Sequence, residues 1–296
     1  MLGNKYISYK NIVILLEYIM KLCILALVMF NLPNLMTASN LLCGVISIFL
    51  AFSGQLELAC VFIYVAATLD FFDGFLARKL NQMSELGKQL DSLADMVTFG
   101  VAPGILVCVL LIVQAYGGVV VESGISFSEV IAFRVHTFLG YISKGAWSSI
   151  DFTCFAGLII PFFSLFRLAK FNIDTRQSES FIGLPTPANT IFFTAFPLLL
   201  ASQYQSGVEN SVLNWVMQPV VLIIITLVMS ILLIAELPLF SLKFKHYNWK
   251  GNEIKFIFLI LCLGLIAFLQ AGSIPFIIIC YLILSVINNQ LKKKEA

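Results

Sequence analysis

Four of the six aspartates in this 296-residue chain, Asp70, Asp73, Asp91 and Asp95, fall within residues 69–101, with apolar sequence on both sides. An ionised carboxylate at membrane depth costs roughly 2.5 to 3.5 kcal/mol on insertion scales, so such residues are normally paired, turned towards a cavity, and functional. Asp70 and Asp73 stand at i, i+3 and Asp91 and Asp95 at i, i+4, so each pair shares one face of its helix. The short polar turn at residues 81–84 predicts two helices that double back and bring these faces together. Four carboxylates so placed cannot all remain ionised without cations. Hard oxygen ligands at this density suit Mg²⁺ or Mn²⁺, with room for two ions about 3.5 to 4 Å apart.

The neighbours of the aspartates fit the same chemistry. Gly74 follows Asp73, Ala77 lies three residues on, and Gly87 precedes Asp91 by one turn, so small residues share the acidic faces and a bulky group can approach the backbone. Arg78, one turn beyond Gly74, adds a bidentate donor suited to phosphate. The bland alternative, aspartates in an ordinary polar loop, conflicts with flanks this apolar.

Composition sets the class. Hydrophobic residues make up 60% of the chain and charged ones 11%, with a mean hydropathy of +0.97. Those values predict an all-α integral membrane protein, a polytopic bundle with no soluble domain left over and no nucleic-acid partner. Seven cysteines are scattered singly through apolar runs, without CxxC spacing or a nearby histidine, and read as small packing residues rather than a disulfide framework or zinc site. Neither terminus shows a cleavable signal, so the chain is expected to be mature from Met1.

The spacing Asp70-x-x-Asp73-Gly74-x-x-Ala77-Arg78, eight residues, then Gly87-x-x-x-Asp91-x-x-x-Asp95 resembles the complete signature of the CDP-alcohol phosphotransferases. The resemblance implies that the four aspartates bind two divalent cations, which hold the diphosphate of a CDP-linked lipid, and that Gly74, Ala77, Arg78 and Gly87 belong to the nucleotide site. It implies that Asp95 doubles as the general base, and that the protein is a homodimer. Thr37 and Asn40, in the first turns of the preceding helix, are placed by the resemblance beside the nucleotide pocket. Helix-to-helix hydrogen bonding is the competing role for both.

Along the chain, residues 11–30 are long enough to span a membrane, but Glu17 and Lys21 one turn apart favour an interfacial helix. Pro33 restarts the helix in a first turn, where its missing N–H costs nothing. About eight spans follow, at residues 35–52, 56–80, 85–114, 152–171, 189–200 (starting nearer 186 if it is to cross), 216–234, 253–269 and 274–287. Residues 116–149, with glycines and the acids Glu122 and Glu129, read as an outer loop lying partly at the interface. The expected organisation is an N-terminal membrane helix at 1–32, a transferase domain at 33–290 and a basic tail at 291–296.

Leaving Lys21 aside, fifteen of the other seventeen Lys and Arg residues lie on the side of Arg78 and the C-terminal tail. The positive-inside rule makes that side cytoplasmic, with the acidic site opening towards it from a cell membrane.

The acceptor is less constrained. The stretches Phe181-x-Gly-Leu-Pro-Thr-Pro-Ala188, Arg167-Leu-Ala-Lys-Phe-Asn172 and Phe240-Ser-Leu-Lys-Phe-Lys245 are similar to segments of membrane-integral phosphatidylserine synthases. That similarity implies CDP-diacylglycerol as donor and L-serine as acceptor. Serine brings a carboxylate that must be held beside an anionic cluster. Arg167 and Lys170, on one helix face, would supply the cations, with Pro185 shaping the wall. As topology-setting charges at a helix end, the same two residues would have no contact with substrate. Phosphatidylglycerophosphate synthesis is the runner-up, because glycerol phosphate also wants cations. A cation-coupled transporter using the aspartates as a relay is the non-enzyme alternative, but a relay has no need of Gly74, Ala77 and Arg78 at these positions.

Overall fold

The computed structural model describes residues 17, 18, 20, 30–120, 124–174, 181–240, 252–269 and 272–295, and it is mostly helical. Helix α1 (Leu32–Phe52) begins where the Asn31 side chain accepts a hydrogen bond from the Asn34 N–H at 2.9 Å, with Pro33 in the first turn. A tight turn carrying Gly54 at φ 86° leads into α2 (Leu56–Lys79), which packs along α1. The chain then reverses through Asn81, at φ 53°, a left-handed conformation that asparagine tolerates better than most residues. Ser84 caps α3 (Glu85–Asp95) by accepting from the Gly87 N–H at 3.0 Å.

From α3 the chain continues through a π-helical turn, Met96–Val101, into α4 (Ala102–Ala115). The whole run Glu85–Ala115 is 31 residues long, and 78% of its most apolar stretch is buried, against 17 to 33% in the four other helices long and apolar enough to cross a membrane. It is therefore the strut around which the others stand. In a π turn the carbonyls are offset from their usual partners. Here the Phe99 carbonyl accepts from the Thr190 hydroxyl at 2.9 Å.

The remaining elements are α5 (Phe127–Ser143), a 3₁₀ turn (Phe152–Leu158) leading into α6 (Ile159–Ile173), α7 (Thr186–Ser206), the short α8 (Ser211–Val216), α9 (Pro219–Ile234), α10 (Glu253–Leu269) and α11 (Ser273–Glu295). Two-residue strands, β1 (Phe181–Ile182) and β2 (Pro238–Leu239), pair antiparallel and tie the loop before α7 to the loop after α9. The core gathers Leu106, Leu110 and Val113 of α4 with Ile131, Phe193, Phe196 and Leu222.

Among the described residues, five helices meet the length and hydropathy of a span: Leu32–Phe52, Leu56–Lys79, Glu85–Ala115, Phe152–Ile173 and Ser273–Gln290. Pro219–Ile234 is apolar and has 16 residues, and Thr186–Ser206 has the length but is rich in threonine, asparagine, glutamine and serine. That helix starts at Thr186, directly after Pro185, the start that a crossing requires. One expectation changes: residues 127–143 of the expected outer loop form a helix. Its start is fixed by a capping box between Ser126 and Glu129, and Phe127, Val130, Ile131, Val135 and Phe138 are buried at helical spacing. That pattern was present in the sequence but diluted by the polar residues between. Most of the N-terminal segment 11–30, Glu122, Arg176 and the basic loop 241–250 lie outside the described residues.

Glycines let the strut touch its neighbours. A Cβ at Gly157 would meet the Gly104 carbonyl oxygen and, at 2.7 Å, the Cys108 nitrogen, both backbone atoms that cannot swing aside. Gly157→Val is therefore expected to destabilise the protein by about 1 to 3 kcal/mol or more, read by thermal unfolding of the detergent-solubilised chain. Gly140→Ala, where nothing lies within 4 Å, is the control and is expected to unfold like the wild type.

Candidate active site

The α2–α3 reversal brings the acidic faces together. Asp70, Asp91 and Asp95 offer carboxylate oxygens that all lie within 4.8 Å of one another. Carboxylates this close repel unless a proton or a cation lies among them. Asp73, the fourth, is buried and turned towards α1, where the Thr37 hydroxyl donates to its Oδ2 at 2.6 Å. A donor set made of carboxylate oxygens fits a hard divalent cation. The group Asp70, Asp91 and Asp95 could hold such an ion, and one oxygen of Asp95 is buried without a hydrogen-bond partner.

A cavity of about 610 Å³ opens over Asp73 and Asp91. Gly74, Ala77, Arg78, Gly87 and Thr37, all expected at a nucleotide site, lie along its wall. At Gly74 an added Cβ would come no closer than 3.7 Å to any atom, the nearest belonging to the Arg78 guanidinium. Protein packing does not demand glycine there, so the freed space belongs to the cavity. At Gly87 the reason is different, since a Cβ would sit 3.2 Å from the Asn34 Oδ1 and the Ser84 Oγ.

Four other expected residues lie off this wall. Asn40 is fully buried one turn below Thr37; its carbonyl accepts from the Thr98 hydroxyl at 3.2 Å, and its side-chain amide has no partner. Arg167 is also buried, donating through Nε to the Leu184 carbonyl at 3.1 Å and stacked over Phe171. Lys170 instead points to Glu236, at 3.0 Å. Pro185 caps the start of α7. The structure thus separates Arg167 from Lys170, although both lie on α6, three residues apart.

Sequence reasoning missed several wall residues. Pro33 and Asn34 line the cavity, yet their sequence signal reads only as a helix start. Lys88 also lines it while its Nζ donates to the Asn172 carbonyl at 2.8 Å, joining α3 to the end of α6. A hydrogen bond between Ser92 and Asn172 reinforces that junction. No residue pattern marks the π turn that begins directly after Asp95.

A family model for CDP-alcohol phosphatidyltransferase matches residues 30–232. The chain belongs to that family. Its matched region runs from the first residue of the continuous described fold nearly to the end of α9, so it includes every residue of the acidic site and its cavity. Among curated relatives, the chain is 34% identical over 174 residues to the CDP-diacylglycerol–serine O-phosphatidyltransferase of Bacillus subtilis, covering 57% of this chain and 79% of that protein. It is 34% identical over 169 residues to the enzyme of the same name from Helicobacter pylori J99, covering 56% and 57%. A third relative, archaetidylserine synthase of Methanothermobacter thermautotrophicus, is 30% identical over 169 residues, covering 56% and 58%. The chain thus spans little more than half the length of the last two.

The Thr37 hydroxyl is the hydrogen-bond donor that turns Asp73 towards α1. Thr37→Val removes the hydroxyl that holds it, and transferase turnover is expected to fall about 10- to 100-fold, the value of a hydrogen bond to a charged group. Thr37→Ser should recover most of it. Equal turnover in Thr37→Val and wild type would mean that Asp73 is held without the hydroxyl.

Proposed function

We propose that the protein transfers the phosphatidyl group of CDP-diacylglycerol to L-serine, giving phosphatidylserine and CMP. The observation that carries this reading is the joining of Asp70, Asp91 and Asp95, with Asp91 and Asp73 lining a cavity walled by Gly74, Ala77 and Arg78. The names of the relatives supply the donor and the acceptor.

In this reading Arg78 binds diphosphate oxygens, the open space at Gly74 admits the nucleotide against the helix backbone, and Thr37 keeps Asp73 turned inwards. Two divalent cations, Mg²⁺ or Mn²⁺, bound by Asp70, Asp73, Asp91 and Asp95 would supply charge stabilisation for the diphosphate and for the attacking and leaving oxygens. Asp95, one turn beyond Asp91, accepts the proton of the serine hydroxyl as its oxygen attacks the phosphorus that bears the diacylglycerol. The bond from that phosphorus to the CMP oxygen breaks, and CMP departs through the cavity. The basic residues around Arg78 support an opening towards the cytoplasm, where a water-soluble acceptor is at hand.

The test is an acceptor panel. Purified protein with CDP-diacylglycerol and Mg²⁺ or Mn²⁺ is offered L-serine, glycerol 3-phosphate, inositol phosphate or choline, and CMP release is scored. Serine alone is expected to drive release, and Asp95→Asn is expected to lose about 10² to 10⁴ in turnover while keeping its KM for the CDP-lipid. Release with glycerol 3-phosphate and not serine would overturn the acceptor and leave the family assignment intact.

A further inference from the structure

The family match ends at residue 232, yet the chain goes on into β2, α10 and α11. The two helices pack on each other, and α11 also packs on α7 and β2. Little of this builds core, since Phe258 alone is buried among the 17 residues of α10. The contacts to β2 are specific. The Tyr281 hydroxyl donates to the Phe240 carbonyl at 2.9 Å, and the Asn289 side-chain amide donates to the Pro238 carbonyl. The Phe240 ring stands edge-on to Phe258 of α10 and Tyr281 of α11, with centroids 5.9 and 5.0 Å away.

Strand geometry explains why these two carbonyls are the ones taken. Successive carbonyls of a strand point to opposite edges. That of Leu237 faces β1, where it accepts from the Gly183 N–H at 2.9 Å. Those of Pro238 and Phe240 therefore share the other edge, which β1 leaves open. Unpaired strand carbonyls in apolar surroundings cost free energy, and a two-residue ladder has little to set against that cost. Side chains of α11 supply the missing donors, in the place that a third strand would take.

β1 in turn passes directly into the loop before α7. The Leu184 N–H donates to the Leu232 carbonyl at 2.9 Å, and the Leu184 carbonyl accepts from Arg167 Nε, on α6, at 3.1 Å. Gly183 lies at φ 79°, and a Cβ there would stand 2.6 Å from the Leu233 carbonyl oxygen, so the loop has no slack against the end of α9. Lys170 of α6 pairs with Glu236 of the same segment at 3.0 Å. Both α6 and α7 pack on the π turn that begins directly after Asp95. A displaced ribbon would shift both helices against it.

Resting on the transferase reading above, we propose that α10 and α11 are a brace for the active site. Tyr281 and Asn289 cap the open edge of the ribbon, and the ribbon fixes where α6 and α7 meet the π turn after Asp95. Both are positioning residues, acting through β2 and β1. The cavity over Asp73 and Asp91 is walled almost wholly by α1, α2, α3 and the turn between α2 and α3. The brace therefore governs turnover rather than the hold on the CDP-lipid.

Hydrogen exchange of the full-length protein in detergent, read by mass spectrometry, tests the brace without any turnover. In Tyr281→Phe/Asn289→Leu, amide exchange at residues 181–184 is expected to quicken about 10- to 100-fold, while that of residues 85–95 stays as in wild type. CMP release by the same variant, with CDP-diacylglycerol and L-serine, is expected to lose about tenfold in kcat with the KM for CDP-diacylglycerol unchanged. Tyr281→Phe alone keeps the ring in its aromatic cluster and should show a smaller change in the same places, which keeps the test decisive if the double variant folds poorly. Gly264→Ala on α10, where nothing lies within 4 Å of an added Cβ, is the control and should match wild type throughout. Unchanged exchange at 181–184 in both variants, quickening spread equally to 85–95, or a loosened ribbon with wild-type kcat would overturn the brace. If glycerol 3-phosphate and not serine releases CMP from wild-type protein, the serine reading falls, and the exchange result still decides the brace.

Discussion

The organising constraint is the mutual repulsion of Asp70, Asp91 and Asp95, whose oxygens lie within 4.8 Å of one another in a chain that is 60% hydrophobic. Nothing in a bilayer relieves such a cluster, so the protein must hold it rigidly and supply what neutralises it. The rigid part is the run Glu85–Ala115, the most deeply buried helix. Thr37 holds the fourth aspartate from α1, and Lys88 and Ser92 bind the end of α6 through Asn172. Each of these contacts fixes the position of the acidic faces relative to a neighbouring helix.

The site has two sides. Towards the opening lies the cavity, with Arg78 exposed and Gly74 leaving room against the helix backbone. On the inner side, Arg167, Thr186 and Asn189 are buried, and Thr186, Asn189 and Asp95 each keep a buried side-chain atom without a hydrogen-bond partner. A reaction between a large nucleotide-lipid and a small polar alcohol needs such an asymmetry, because the two substrates must meet from different directions at one phosphorus. The π turn after Asp95 is where it arises: it lets Gly100 come against Ser164 and turns the Phe99 carbonyl to Thr190, so α6 and α7 converge on the same point.

Much of this was legible in the sequence for a physical reason. Charges in apolar surroundings are costly, so their spacing carries information, and Asp70, Asp73, Asp91 and Asp95 with Gly74, Ala77 and Arg78 marked the site and its two helices. Where polar residues carry no net charge the cost is smaller and the signal fades. Asn34, Ser164, Thr186 and Asn189 look like ordinary members of membrane helices until their partners, or the lack of them, are seen. Helical spacing puts Lys170 beside Arg167, and its ion pair with Glu236, 66 residues on, is not legible from that spacing. The helix Phe127–Ser143 was hidden by averaging: its buried positions are apolar, but the turns between hold Ser128, Glu129, Arg134 and His136. Apolar character alone does not set helix length: Pro219–Ile234 has 16 residues.

The central claim is that the aspartate cluster exists to bind divalent cations, and it can be read without any turnover. Equilibrium binding of Mn²⁺ to the detergent-purified protein, followed by electron paramagnetic resonance of the free ion, should show about two saturable sites per chain, displaced by Mg²⁺. Asp91→Asn should abolish or severely weaken that binding while the helical circular dichroism spectrum is unchanged. Saturable binding that survives in Asp91→Asn and Asp70→Asn alike, or no saturable binding in the wild type, would contradict the account.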